Sequence, residues 1–176
     1  MTEPGIFELF WKHLIQSEHL HVLLNPLPIY GLAVSVMALA MAAGLRSRKA
    51  QITALAMILL SAGSAWPVVE FGEKGFDRVQ AMSDVDGIRW LDAHAQRATR
   101  LKWIYYLAAA LAALALSVPL KFPKTAMPLV LATLFLSIAA LGAGAWIAYA
   151  GGQIRHKEFR TGLPPEAEGG YGKMRD

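Results

Sequence analysis

A chain of 176 residues suffices for one domain, and 55% of it is hydrophobic against 17% charged. The absence of cysteine excludes disulfides, thiolate metal sites and covalently attached c-type haem. The net charge of +4 is a small excess whose placement matters more than its sum, and no phosphate loop, serine-nucleophile elbow or nucleic-acid motif is present.

In chain order, residues 4 to 24 are predicted to form a helix. Ile6, Phe10 and Leu14 recur at helical spacing beside Phe7 and Trp11, while Glu8, Lys12 and Glu18 fall mostly elsewhere on the wheel. Two readings stand together: an amphipathic helix lying in the membrane interface, or a packing helix over the mouth of a bundle. The segment lacks a basic leading region, and its acids interrupt any apolar core. The expectation is therefore an uncleaved anchor rather than a signal peptide. Asn25-Pro26-Leu27-Pro28 is expected to turn the chain into the membrane, because proline disfavours helix in the residue before it.

Four apolar runs approach the roughly 20 residues that cross a hydrocarbon core: 29–45, 52–69, 101–120 and 127–150. They predict an all-α integral membrane protein, a four-helix up-down bundle occupying residues 1–150. Arg46, Arg48 and Lys49 follow the first span, and Lys121 and Lys124 follow the third, with no acid beside them. Lysine and arginine in short loops mark the cytoplasmic side. Both termini are then periplasmic or extracellular, in a multi-pass protein of the inner (cytoplasmic) membrane. Arg97, Arg100, Lys102, Arg155 and Lys157 count the other way.

Residues 71–100 form the outer loop. Gly72 and Gly75 are expected to end the second helix, and Ser83 or Asp84 to cap a new one that runs unbroken into the third span. On it Asp86, Trp90, His94, Arg97 and Leu101 share one stripe. The tail, residues 151–176, is rich in glycine and proline with charges between, a composition that predicts flexibility unless a partner orders it. Ridges of small residues (Ala140, Gly144 and Ala148; Ser61 and Ala65; Gly31 and Ser35; Ala40 and Gly44) favour close helix packing in lipid. A ridge left facing lipid would point to a homo-oligomer or a protein partner.

The cores of the spans carry no charged side chain, which argues against a pump or antiporter. All five histidines and every acid lie on the proposed outer side. His21 and His94 precede the first and third spans by about two turns, and His156 follows the fourth by a similar distance. These heights roughly coincide at the outer mouth. Two neutral imidazoles from facing helices are what haem b needs, and imidazoles with carboxylates would suit copper, iron or zinc. Histidines at a bilayer edge are also ordinary interfacial residues. Glu70, one turn after Pro67, is expected to pair with Arg97 or Arg100. Trp90, Arg97, Glu70 and Arg155 are the candidate partner-facing residues. Trp66, Phe71, Trp103 and Trp146, with nearby tyrosines, suit an interfacial aromatic belt.

The layout resembles a bacterial family of unknown function with four membrane helices, whose entry motif is His-Pro-x-x-Val-His-Phe-Pro. The corresponding segment here is His21-Val22-Leu23-Leu24-Asn25-Pro26-Leu27-Pro28, with Asn25 where a histidine would be expected. Better matches are Trp90-Leu91-Asp92-Ala93-His94 and the close Gly151-Gly152-Gln153-Ile154-Arg155-His156. The resemblance implies a haem-linked role.

Two functions follow as expectations. The first is a non-catalytic membrane subunit or scaffold presenting its outer loop and tail to a partner. The second is a redox or metal-binding protein holding haem b or a metal through His94 with His21 or His156. No residue pattern supplies an enzyme mechanism.

Overall fold

A computed structural model of the chain describes residues 5–166, whose regular structure is all helical, with no strand among them. Four helical stretches are long and apolar enough to cross a membrane: Ser17–Gly44, Arg48–Ala81, Val85–Leu120 and Pro123–Arg155. Each exceeds the roughly 20 residues that a hydrocarbon core requires.

The N-terminal segment is two helices rather than one: α1 (Ile6–Leu14) and α2 (Ser17–Leu24). Gln16 between them is extended, with ψ 137. Packing explains the break. Glu18 forms an ion pair of 2.7 Å with Arg78, so α2 lies against the second long helix, whereas Ile6, Phe7, Phe10 and Trp11 of α1 are exposed.

The expected turn at Asn25–Pro28 does not form. Asn25 and Pro26 keep helical dihedrals, and the chain winds through a π-turn (Leu27–Gly31) into α3 (Leu32–Gly44). Prolines at 26 and 28 lack the N–H that an α-turn would use, and the wider turn accommodates the loss.

A tight link containing Arg46, at φ 51, leads to α4 (Arg48–Gly63). Then α5 (Ala65–Ala81) carries the helix on past Pro67. Gly72 and Gly75 do not end it. Glycine weakens a helix interior by about 1 kcal/mol, yet here it admits a neighbour: a Cβ at Gly75 would lie 3.1 Å from the backbone of Glu18.

Helix α6 (Val85–Ser117) starts at Asp84, whose carboxylate accepts the Gly87 N–H at 2.7 Å, and runs unbroken through the outer region into the bundle. A short connection leads to α7 (Ala126–Arg155).

The core lies among α3, α4, α6 and α7. Leu32, Leu39, Leu55, Ile58 and Val130 are fully buried against Ala108, Ala112 and Ala115. Alanines three and four apart keep one face of α6 low, so neighbouring backbones approach closely. Gly144 serves the same end on α7, where the Tyr105 hydroxyl occupies the space a side chain would need. Gly31 packs on Ser61. These ridges are used within the chain; Ala40 and Gly44 remain exposed.

A second, smaller core of Phe76, Trp90, Leu91, Ala150 and Ile154 joins α5, the start of α6 and the end of α7. The segment expected to form the tail begins within the last helix. The helix continues to Arg155, and Arg160 folds back to donate to the carbonyls of Gln153 (2.8 Å) and Ile154 (2.8 Å) and to Asp84 (3.0 Å). Lys157 and Arg160 are thus tied to Asp84 and to the end of the last helix. The remainder of the predicted tail, 167–176, lies outside the described residues.

Candidate functional site

At the end of the bundle away from the Arg46 and Lys121 connections, a cavity of about 590 Å3 opens between α2, α5, α6 and α7. Its volume falls within the range of small-molecule and cofactor sites. Apolar side chains dominate the wall, among them Val22, Val68, Phe76, Leu91 and Ile147. Two imidazoles face each other across it, His21 from α2 and His94 from α6. Their ring centres are 6.3 Å apart and their planes cross at 87°.

Each ring is anchored in the same way. His21 Nδ1 lies 2.8 Å from the Val68 carbonyl, and His94 Nδ1 lies 3.0 Å from the Ile147 carbonyl. A carbonyl only accepts, so Nδ1 carries the proton in both rings, and in the neutral tautomer Nε2 holds the free lone pair. An Nδ1–H donated to a backbone carbonyl is the outer contact that orients metal-bound histidines. Beside each ring stands a glycine one turn after that carbonyl, Gly72 and Gly151. A Cβ would lie 2.9 Å from His21 Nδ1 in the first case and 3.0 Å from His94 Nδ1 in the second.

The spacing suits a shared ion. With a metal about 2.0–2.1 Å from each nitrogen, and each ring centre about 1.1 Å further out, a linear arrangement puts the centres about 6.2–6.4 Å apart. Among the described residues no group of three or more His, Asp or Glu side chains is placed to hold a metal. A bare zinc or copper ion would therefore find two protein ligands where it prefers about four. An iron porphyrin brings its own four equatorial nitrogens and asks the protein for two axial ones.

Of the other predicted residues, His156 is not brought to this pair. It is exposed, contacts Glu158 at 2.9 Å and stacks on Phe159. Trp90 is buried within the chain, in edge contact with Tyr149, and its indole N–H has no hydrogen-bond partner among the described residues. Arg97 lies over the Trp146 ring, 3.7 Å from its centre, and donates to the Trp146 carbonyl at 2.9 Å. Glu70 pairs with Lys74 at 3.0 Å, one turn along its own helix, rather than with Arg97. Arg155 donates to the Met82 carbonyl at 2.9 Å and remains exposed.

Sequence reasoning missed four contributors: the carbonyls of Val68 and Ile147, and Gly72 and Gly151. Backbone acceptors carry no sequence mark. Gly72 reads as a helix breaker and Gly151 as the start of a tail, because neither shows which ring it receives. Comparison with protein-family models, curated proteins and solved structures finds no match to this chain.

Proposed function

We propose that this is a membrane redox protein that binds haem b between His21 and His94 at the outer mouth of its bundle. One observation carries the reading: two imidazoles from different helices, 6.3 Å between centres, each with Nδ1 committed to a carbonyl and Nε2 left for a ligand. The apolar wall supports it by offering a macrocycle a dry pocket, in which burial and axial ligation tune the potential. Bound haem supplies one-electron chemistry. The chain orients the rings, excludes water and fixes the tautomer.

The bundle runs up and down with both termini outside, because Arg46, Arg48, Lys49, Lys121 and Lys124 gather at the opposite end from the site. The test is haem titration into detergent-purified protein. One haem per chain is expected for the wild type and for His156→Ala, and none for His21→Ala or His94→Ala. Equal uptake by all four would end the haem reading.

A second reading, a non-catalytic subunit of a larger membrane assembly, draws on exposed apolar surface. Ile6, Phe7, Phe10, Trp11 and Ile15 form an uncovered arc on α1, and the Ala40–Gly44 ridge is likewise free. Native purification giving only a monodisperse monomer would count against it.

A further inference from the structure

Resting on that haem reading, we infer that Gly72 and Gly151 are positioning residues that hold the two axial imidazoles crossed. The arrangement is the same device used twice. One helix supplies a histidine, and the next supplies a carbonyl and, four residues on, a glycine: His21 with Val68 and Gly72, His94 with Ile147 and Gly151. Residues i and i+4 lie one above the other on a helix face. A glycine at the second position therefore leaves a notch directly beyond the acceptor carbonyl.

Each ring lies in its notch. A Cβ at Gly72 would stand 2.9 Å from Nδ1 and 3.0 Å from Cε1 of His21. At Gly151 the distances to the same atoms of His94 would be 3.0 and 3.2 Å. Both glycines sit inside continuous helices, so the ring is the part that must yield, by rotating about its bond to Cβ. The two notches thereby fix the crossing angle, now 87°. The anchoring hydrogen bonds alone leave that rotation freer, because a carbonyl accepts over a broad range of directions.

The crossing angle has an electronic consequence. In low-spin ferric haem, parallel imidazole planes split the two iron d orbitals that overlap with the rings, and the paramagnetic resonance signal is rhombic. Crossed planes leave those orbitals nearly equal in energy, and the signal becomes strongly anisotropic with one dominant low-field feature.

The experiment is electron paramagnetic resonance of the haem-loaded ferric protein, first as wild type and then as Gly72→Ala and Gly151→Ala. Gly63→Ala and Gly142→Ala serve as controls, since a Cβ at either meets nothing within 4 Å. The wild type and both controls should give the strongly anisotropic signal. Each site variant should shift it toward the rhombic form with haem retained. A rhombic wild-type signal overturns the inference and needs no variant to fold. So does an anisotropic signal left unchanged in both site variants. Either result leaves the haem reading intact, whereas a wild type that takes up no haem overturns that reading and this inference together.

Discussion

His21 and His94 belong to different helical hairpins, yet each leans on the neighbouring helix through the same pair of contacts, a carbonyl that accepts its Nδ1–H and a glycine one turn later. The two imidazoles are oriented from behind, by backbone rather than by carboxylates. Four long helices are enough to bring the two rings together across an apolar cavity.

Removing either ligand should matter far more than removing any other histidine. His21→Ala and His94→Ala should each weaken haem binding by more than the roughly 10–100-fold expected for losing an outer-shell contact. His13→Ala and His156→Ala should leave it unchanged. Equilibrium titration followed by absorbance measures all four.

Gly144→Ala should destabilise the protein by about 1–3 kcal/mol, the range for overpacking, because the new methyl group would occupy the place of the Tyr105 hydroxyl. Tyr105→Phe in the same chain should restore most of that loss, giving a clear coupling in the double-mutant cycle. Denaturant titration in detergent reads both. Additive effects would mean that the phenol and the glycine are not in contact.

Trp90→Phe should cost less than about 1 kcal/mol in a denaturant titration, since it deletes a buried N–H that has no partner among the described residues. Trp90→Ala, by contrast, empties the outer core and should cost about 3–5 kcal/mol.

The clasp at Asp84 predicts a pH response. Its carboxyl is held far below the usual carboxylate range, first by the Arg160 guanidinium, then by Lys157 and the Gly87 N–H. A group whose pKa is depressed on folding contributes fully above its unfolded value, about 3.9, and loses that contribution as the pH falls through the folded value. Hydrogen exchange at the Phe159 and Arg160 amides, which donate to His156 and Lys157, should therefore show equal protection at pH 7 and pH 5. Arg160→Ala should abolish that protection at both. Loss of protection in the wild type between those two values would contradict the assignment.

Orientation is accessible through the missing cysteines. Lys49→Cys and Glu158→Cys introduce single thiols into a chain that has none. A membrane-impermeant reagent applied to intact cells or spheroplasts should label Glu158→Cys and spare Lys49→Cys. The reverse pattern would invert the bundle.

Much of the architecture was legible because hydropathy reports directly on what lipid tolerates. The four apolar runs correspond to the four long helices, and Asp84 reads as a cap from its position before an unbroken helical pattern. Local signals failed where tertiary contact outweighed them. Gly72 and Gly75 look like breakers, but they are sites of close approach for α2. Pro26 and Pro28 look like a turn, but the chain absorbs them in a π-turn. The tail's composition suggests flexibility and does not show that Arg160 finds two carbonyls and Asp84. At the site the histidines were legible as candidates by height alone. Choosing His21 over His156 as the partner of His94 required knowing which helices adjoin, and sequence spacing does not carry that information.

His21 and His94 are proposed to bind one haem iron between them. The most direct test is the absorption spectrum of the natively purified protein, oxidised and then reduced, in wild type and in His94→Ala. Ligation by both histidines predicts a six-coordinate low-spin spectrum whose Soret band sharpens and shifts on reduction, with resolved visible bands that His94→Ala abolishes. A featureless spectrum from wild-type protein purified with haem supplied during expression, or haem bands that persist unchanged in His94→Ala, would contradict it.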